Sequence, residues 1–164
     1  MYTYQKIGDN TLALLAAGAS KEEALFYLAK EAEKLIGQGS VVSILLLDEK
    51  GLLRNGASPR LPQDYLNAID GIKPDPRVGT CAAAAATGQM VITPDFRSDT
   101  KWSELRHLPL AIGFAGAWSI PIKNKSRAVL GTFGVYLKQI REPSSQEIQA
   151  TEALADVACA VLTS

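Results

Sequence analysis

Few residues in this sequence can carry redox or metal chemistry. The 164 residues include one histidine, His107, and two cysteines, Cys81 and Cys159. The cysteines lie far apart and lack the spacing of a zinc site or a disulfide framework, a pattern typical of proteins from a reducing compartment. We therefore expect a cytoplasmic protein without disulfides and without a structural metal.

An excess of charge of either sign is also absent. Lys plus Arg and Asp plus Glu each number 17, so the formal net charge is zero. Because phosphate contacts by basic residues dominate nucleic-acid affinity, this balance argues against nucleic acid as a partner. The apolar runs fall well short of the roughly 20 residues that cross a membrane, and the first ten residues do not resemble a secretory signal. We expect no membrane span.

The composition that remains is that of one globular domain. Hydrophobic residues make up 47% and charged residues 21% of the chain, which is an ordinary balance for a domain with its own core. Periodicity, capping residues and turns predict the order α-α-β-β-α-α-β-α-β-β-α. The hairpins in this order predict a mainly antiparallel sheet with helices on its faces.

Both ends of the chain are predicted to be helical. Asn10 is the expected cap of a first helix, and Ser20 with Glu23 forms a capping box for a second. Ser144 and Glu147 repeat that box at the start of the last helix. The apolar residues of the last helix recur at helical spacing and are Ile148, Leu154, Ala155, Ala158, Val161 and Leu162. We expect these terminal helices to pack together on one face of the sheet.

Several blocks of the sequence resemble a GAF domain. They are "VGTC", "MVITPD", "WSELRHLPLAIGFAGAWSIPI" and "AVLGTFGVYLKQIREPSSQEI", in that order. The match runs from about Ser20 to Val161 and looks like the type found in bacterial sensor histidine kinases, diguanylate cyclases and related signalling proteins. It implies an α+β fold, an α/β/α sandwich with a six-stranded, mainly antiparallel sheet. The terminal helices would cover one face, and helices and loops that roof a pocket would cover the other.

The resemblance also implies a function. Residues 1–164 would form a single non-enzymatic sensory or regulatory domain, with a helical lead-in over residues 1–19 and an output helix over residues 143–163. Such domains form homodimers through the terminal helices and signal to an effector such as a kinase or cyclase. A small-molecule ligand would sit under a roof built from Leu61 to Trp118. A thiol enzyme of the free methionine sulfoxide reductase kind and a purely structural dimerisation domain are the alternatives.

No residue is assigned a catalytic role, and the candidate pocket residues are Cys81, Asp95, Trp102, Arg106, His107 and Trp118. Cys81 begins a helix, where the helix dipole favours a thiolate, although a free cysteine is commonly a small buried apolar residue. Trp102, Arg106 and Trp118 are suited to stacking on or orienting a planar or anionic ligand. The apolar strand around Trp118 favours a core role for it. His107 and Asp95 lie in a polar segment typical of a solvated loop.

Departures from the family pattern make some ligands improbable. Relatives often have Arg and Cys where this chain has Ala115 and Ala117. Relatives that attach a bilin covalently use a Cys followed directly by His, whereas alanine follows both Cys81 and Cys159 here. We therefore expect neither a covalent bilin nor haem, and the sequence leaves the identity of any other ligand open.

Overall fold

Five strands and six α-helices make up the computed structural model, which describes residues 3–164. The strands are β1 (Val41–Leu47), β2 (Leu53–Ala57), β3 (Val91–Thr93), β4 (Gly116–Lys123) and β5 (Val129–Leu137). The helices are α1 (Tyr4–Ala16), α2 (Lys21–Ile36), α3 (Gln63–Ile69), α4 (Cys81–Thr87), α5 (His107–Ala111) and α6 (Ser145–Leu162), with a 3₁₀ turn at Thr100–Trp102. This is the predicted α+β order. Residues 1 and 2 of the predicted lead-in lie outside the described residues.

The sheet is antiparallel, in the order β2-β1-β5-β4-β3. It has five strands within residues 3–164, so the expected count of six is wrong. After α3 the chain runs beside β2 but forms only one isolated bridge, between Ile72 and Leu53. Pro74 and Pro76 follow directly. Because proline has no N–H to donate to a neighbouring strand, the pairing stops there.

The terminal helices α1, α2 and α6 pack on one face of the sheet, as predicted. Together with this face they enclose the largest core cluster, in which Leu28, Trp118, Phe133 and Leu154 are fully buried. A Cβ atom placed on Gly8 of α1 would lie 3.0 Å from a methyl group of Val157 in α6. The small residue therefore allows α1 to approach α6 closely.

For two of the three terminal helices, the residue that caps the helix is the one that the sequence predicts. Both predicted capping boxes are present, Ser20 with Glu23 before α2 and Ser144 with Glu147 before α6. The first helix instead begins six residues earlier than its expected cap, and Thr3 caps it. Asn10 lies inside α1, where its amide donates to the hydroxyl of Tyr27 at 3.2 Å. A residue that prefers caps is thus used here to join two helices.

The opposite face of the sheet is covered by α3, α4, the 3₁₀ turn and α5. A second cluster of buried residues lies beneath this cover and includes Tyr65, Phe96, Trp102 and Tyr136. The helix expected near residues 102–107 is displaced, because the chain first makes a 3₁₀ turn and α5 starts only at His107. This roof positions the candidate site described next.

Candidate functional site

Small residues occupy the middle of the sheet on the roofed face. Ser43 of β1 lies opposite Gly134 of β5, and Gly134 lies opposite Ser119 of β4. Side chains alternate between faces along a strand, so the neighbours Phe133 and Trp118 point into the terminal-helix core instead. The row from Ser43 to Ser119 leaves room for groups that descend from the roof.

The sulfur of Cys81 fills that room. A Cβ atom on Gly134 would lie 2.9 Å from Sγ of Cys81. The hydroxyls of Ser119 and Thr132 flank the thiol; both residues are fully buried, and within residues 3–164 neither hydroxyl has a hydrogen-bond partner of good geometry. Burial raises the pKa of the Cys81 thiol, and the two neighbouring hydroxyls offset part of that rise. The thiol is therefore held in its protonated form, contrary to the thiolate that a helix start favours.

A small cavity of about 30 Å³ lies between the roof and the sheet beside Cys81. We call it the roof cavity, and its lining residues are Leu45, Tyr65, Ile69, Ile72, Gly79, Thr80, Cys81, Ala82, Trp102, Leu105 and Tyr136. Pockets that bind drug-sized molecules measure roughly 300–1,000 Å³. The roof cavity is therefore closed to such ligands in this structure and has room for only one or two water molecules.

Two tyrosines meet at the edge of the roof cavity. The hydroxyls of Tyr65 and Tyr136 are 2.7 Å apart, and their rings are perpendicular with centroids separated by 5.7 Å. Burial raises the pKa of both phenols, so both stay protonated. The pair holds two hydroxyl hydrogens, of which the mutual hydrogen bond uses one. The other O–H remains available to a further acceptor.

Trp102 forms a wall of the roof cavity and is fixed by a chain of hydrogen bonds. Its indole N–H donates to Oγ1 of Thr80 at 2.8 Å, and that hydroxyl lies 2.8 Å from the hydroxyl of Thr93. The backbone N–H of Gly79 donates to the carbonyl of Lys101 at 2.8 Å. These bonds tie the start of α4 to both β3 and the 3₁₀ turn.

The structure brings only two of the six candidate pocket residues together, since Cys81 and Trp102 both line the roof cavity. Trp118 lies across the sheet, where it is fully buried and its indole N–H donates to Oγ1 of Thr151 in α6 at 3.3 Å. Its assignment to the pocket is therefore wrong, and the core role favoured by its apolar strand is the observed one.

The three charged or titratable candidates belong to the excursion outside the roof cavity. The guanidinium of Arg106 donates to the backbone carbonyls of Arg97, Asp99 and Trp102, so it braces the loop instead of facing a ligand. The carboxylate of Asp95 accepts the backbone N–H of Arg97 at 2.9 Å. His107 is exposed at the start of α5. None of the three lines the roof cavity.

The candidate dimer residues of α6 are largely used within the domain. Leu154, Ala155, Ala158 and Val161 are buried against the sheet and the other terminal helices. Ile148 and Leu162 are half-buried. An apolar stripe alone does not say whether a helix buries it against its own sheet or against a partner, and here the sheet takes most of it.

The residues missed by the sequence prediction are polar groups within apolar strands. Ser119 and Thr132 alternate with the apolar residues Trp118, Ile120 and Phe133, so alternation along the strands places both hydroxyls on the roofed face. That signal was present in the sequence. The pairing of Tyr65 with Tyr136 joins residues 71 positions apart, and nothing local indicates it.

Residues 3–164 contain no group of three or more His, Cys, Asp or Glu side chains placed to hold a metal ion. Among the helices of the same residues, none combines the length and the apolar character needed to span a bilayer.

Comparison with known proteins agrees with this architecture. Residues 18–163 match the family described as GAF domain. The chain is 34% identical over 142 residues to the methyl sulfide methyltransferase-associated sensor of Methanosarcina acetivorans, covering 86% of this chain but only 14% of that protein. The chain therefore spans a small part of the length of this curated relative.

Solved structures share the fold at low identity. The GAF domain of a phosphoenolpyruvate-protein phosphotransferase from Coxiella burnetii superposes with a TM-score of 0.78 at 16% identity, covering 98% of this chain and 93% of that one. Free methionine-R-sulfoxide reductase from Neisseria meningitidis superposes with a TM-score of 0.74 at 14% identity, covering 98% and 88%. The same fold thus occurs in a domain of a phosphotransferase and in a reductase. Because the family match covers residues 18–163, nearly the whole chain, the chain belongs to the GAF domain family.

Proposed function

We propose that this chain is a non-enzymatic sensory and regulatory domain of a signal-transduction protein, which binds a small molecule under its roof and relays that event to α6. The proposal rests on the position of β4, which contacts the roof on one face of the sheet and α6 on the other. Ser119 faces the sulfur of Cys81 on the roofed face, while the adjacent Trp118 donates to Thr151 of α6 on the other face. A sensor among the relatives supports the same function.

Adjacent residues of one strand are covalently linked and point to opposite faces of the sheet. A displacement of β4 at Ser119 therefore also displaces Trp118. The indole of Trp118 lies in a closely packed core, and such cores transmit small shifts because they have few voids. Helix α6 is thus the expected output element, and we propose an effector such as a histidine kinase or diguanylate cyclase domain as its partner.

A matched pair of substitutions on α4 tests this relay. Cys81→Val adds a methyl group over Gly134 and pushes on the sheet, whereas Ala86→Val adds a comparable group on the exposed side of the same helix. We expect altered amide hydrogen exchange in α6 around Thr151 for Cys81→Val and none for Ala86→Val. Unchanged exchange of α6 in both variants would contradict the relay.

A homodimer through the terminal helices is part of the proposal. The helical layer retains exposed apolar side chains, with Leu12 and Leu14 of α1 exposed by 41% and 37% and Phe26 of α2 by 47%. Ile140, exposed by 56%, lies in the loop after β5 and offers a control. Leu12→Ser is expected to shift light-scattering mass toward the monomer, and Ile140→Ser to leave it unchanged. A wild-type protein that stays monomeric at high concentration would contradict dimerisation.

A structural dimerisation domain without a ligand is the second candidate. The roof cavity of about 30 Å³ favours it, because no drug-sized molecule fits there in this state. Native mass spectrometry and an absorption spectrum of freshly purified protein separate the two candidates. Added mass or colour supports the sensor, whereas a dimer with neither supports the structural domain.

The thiol-enzyme alternative finds no support in the geometry. Burial raises the pKa of the Cys81 thiol, which disfavours the nucleophilic thiolate. Cys159 lies on α6, beyond the sheet from Cys81, so the two sulfurs cannot form a catalytic pair. In the proposed function, any catalysis belongs to the attached effector.

A further inference from the structure

We infer that the ligand recognised under the roof is an uncharged molecule with at least one hydrogen-bonding group, which it places against the hydroxyls of Ser119 and Thr132. The inference rests on the proposed sensory function, since it specifies the class of molecule that the roof cavity would bind. Three features lead to it: the lining of the cavity carries no ionised group, three cationic side chains around it are already engaged, and the buried hydroxyls of Ser119 and Thr132 have no partner of good geometry within residues 3–164.

The lining of the roof cavity is apolar, aromatic or hydroxylic. Its ionisable members are Tyr65, Cys81 and Tyr136, and burial raises the pKa of all three, so that each is uncharged. An ion transferred into such surroundings loses its hydration and gains no opposite charge. A charged ligand is therefore strongly disfavoured.

Three cationic side chains around the roof, Arg54, Lys101 and Arg106, already have partners of their own. Arg54 pairs with Asp48 at 3.0 Å and with Asp70 at 2.9 Å. Lys101 pairs with Asp99 at 2.9 Å. The guanidinium of Arg106 donates to three backbone carbonyls. Recruiting any of these groups to a ligand would break an existing interaction, so none serves as a ready counter-ion.

Two hydroxyls supply the polar part of the recognition. Ser119 and Thr132 are both fully buried, and their oxygens have no hydrogen-bond partner of good geometry within residues 3–164. Buried polar groups in folded proteins nearly always have a partner. The sulfur of Cys81 lies between these hydroxyls and the roof cavity, so the inference requires the Cys81 side chain to turn away from them when the ligand binds. A ligand hydroxyl, carbonyl or amide would then replace the weakly bonding thiol.

The two tryptophans of the chain provide a built-in assay. Trp102 lines the roof cavity, and Trp118 lies across the sheet. Each indole N–H donates a hydrogen bond, to Thr80 and to Thr151 respectively, so each gives a distinct NMR signal that a substitution to Phe assigns. A molecule bound under the roof perturbs the Trp102 signal directly and the Trp118 signal only through the sheet.

Four probe molecules of nearly equal size distinguish the effect of a ligand's charge from that of its hydrogen-bonding group. They are benzyl alcohol, toluene, benzoate and benzylamine. The roof must widen from its present volume of about 30 Å³ to admit any of them. We expect benzyl alcohol to shift the Trp102 indole signal in a saturable way, and benzoate and benzylamine to leave it unchanged. The matched variant is Ser119→Ala with Thr132→Val, which removes two hydroxyls that have no partner of good geometry within residues 3–164, and we expect it to keep the fold. It should weaken binding of benzyl alcohol about three- to tenfold, the value of one hydrogen bond, without weakening that of toluene.

Each other result overturns part of the proposal. Benzoate or benzylamine binding beside Trp102 as tightly as benzyl alcohol would overturn the inference and leave the sensory function in place. If the double variant binds benzyl alcohol as tightly as the wild type does, the two hydroxyls take no part in recognising the ligand. If none of the four probes shifts the Trp102 signal, the roof does not admit small molecules, and the sensory function fails together with the inference.

Discussion

The indole of Trp118 and the hydroxyl of Thr151 are joined by a hydrogen bond of 3.3 Å in which both residues are fully buried. The bond links β4 to α6 beneath the sheet. Thr151 in turn donates to the carbonyl of Glu147 at 2.8 Å, so its own hydrogen is already used within the helix. The hydroxyl therefore acts as the acceptor of the indole N–H, which fixes the direction of this link.

Trp118→Phe is the direct test of the link. The substitution removes the N–H donor and part of the ring, and we expect a loss of about 2 kcal/mol in the free energy of unfolding, measured by urea denaturation. Thr151→Val is the companion variant, because it leaves the indole N–H buried without an acceptor. Stability equal to that of the wild type in both variants would show that the bond contributes nothing to the packing of α6.

Local patterns in the sequence were enough to predict much of the fold. Capping boxes at Ser20 and Ser144 fix the starts of two helices, since the cap and its partner glutamate lie only three residues apart. Alternation along β4 and β5 likewise defines which residues share a face. These features depend on neighbours in the chain, so composition and spacing reveal them.

The candidate site was harder to predict because it depends on contacts between distant segments. Arg106 has a charge that could bind a ligand, yet its guanidinium donates hydrogen bonds to nearby backbone carbonyls. Asn10 has the preference of a helix cap, yet it lies inside α1, which Thr3 caps, and its amide donates to Tyr27 of α2. Cys81 lies close to Gly134 although the two residues are far apart in the sequence, and no local pattern encodes that approach.

Ser119→Ala and Ser43→Ala form a matched pair on either side of Gly134. Both serines are fully buried, but Ser43 shares a hydrogen bond of 2.7 Å with Ser58, whereas Ser119 lacks a partner of good geometry within residues 3–164. Removing an unsatisfied buried hydroxyl costs little or stabilises, and removing a satisfied one costs about 1–3 kcal/mol. We expect Ser119→Ala to match or exceed the wild-type melting temperature and Ser43→Ala to fall below it. The reverse order would show that the Ser119 hydroxyl is hydrogen-bonded in solution.

Gly134→Ala tests the close approach of Cys81 to the sheet. The new Cβ would lie 2.9 Å from Sγ of Cys81, so we expect destabilisation of about 1–3 kcal/mol from overpacking. The double variant Gly134→Ala with Cys81→Ala should recover much of this loss, and a double-mutant cycle from urea denaturation measures the coupling. Gly131→Ala serves as the control, because its Cβ would clash with the backbone carbonyl of Leu45. Rescue of Gly131→Ala by Cys81→Ala would contradict a local contact.

Because Glu33 is a buried carboxylate, we expect the free energy of unfolding to depend on pH in a specific way. This buried carboxylate accepts the backbone N–H of Val42 at 2.9 Å and so ties α2 to β1. Burial raises its pKa above the ordinary 4.5, although the Val42 hydrogen bond and the charges of Arg60 and Lys30 oppose the rise. The native state therefore holds its proton at a pH where the unfolded chain has released it. The contribution of Glu33 to stability is present below pH 4.5 and is lost as pH rises through the native pKa.

Glu33→Gln keeps an acceptor for Val42 but cannot ionise. We expect the variant to gain stability relative to the wild type as the pH rises from 4 to about 7, in urea denaturation series across that range. Glu147→Gln is a control of opposite sign, because Arg141 lowers the pKa of Glu147 and its contribution is lost as pH falls instead. A constant difference between wild type and Glu33→Gln at every pH would show that Glu33 titrates alike in the folded and unfolded chains.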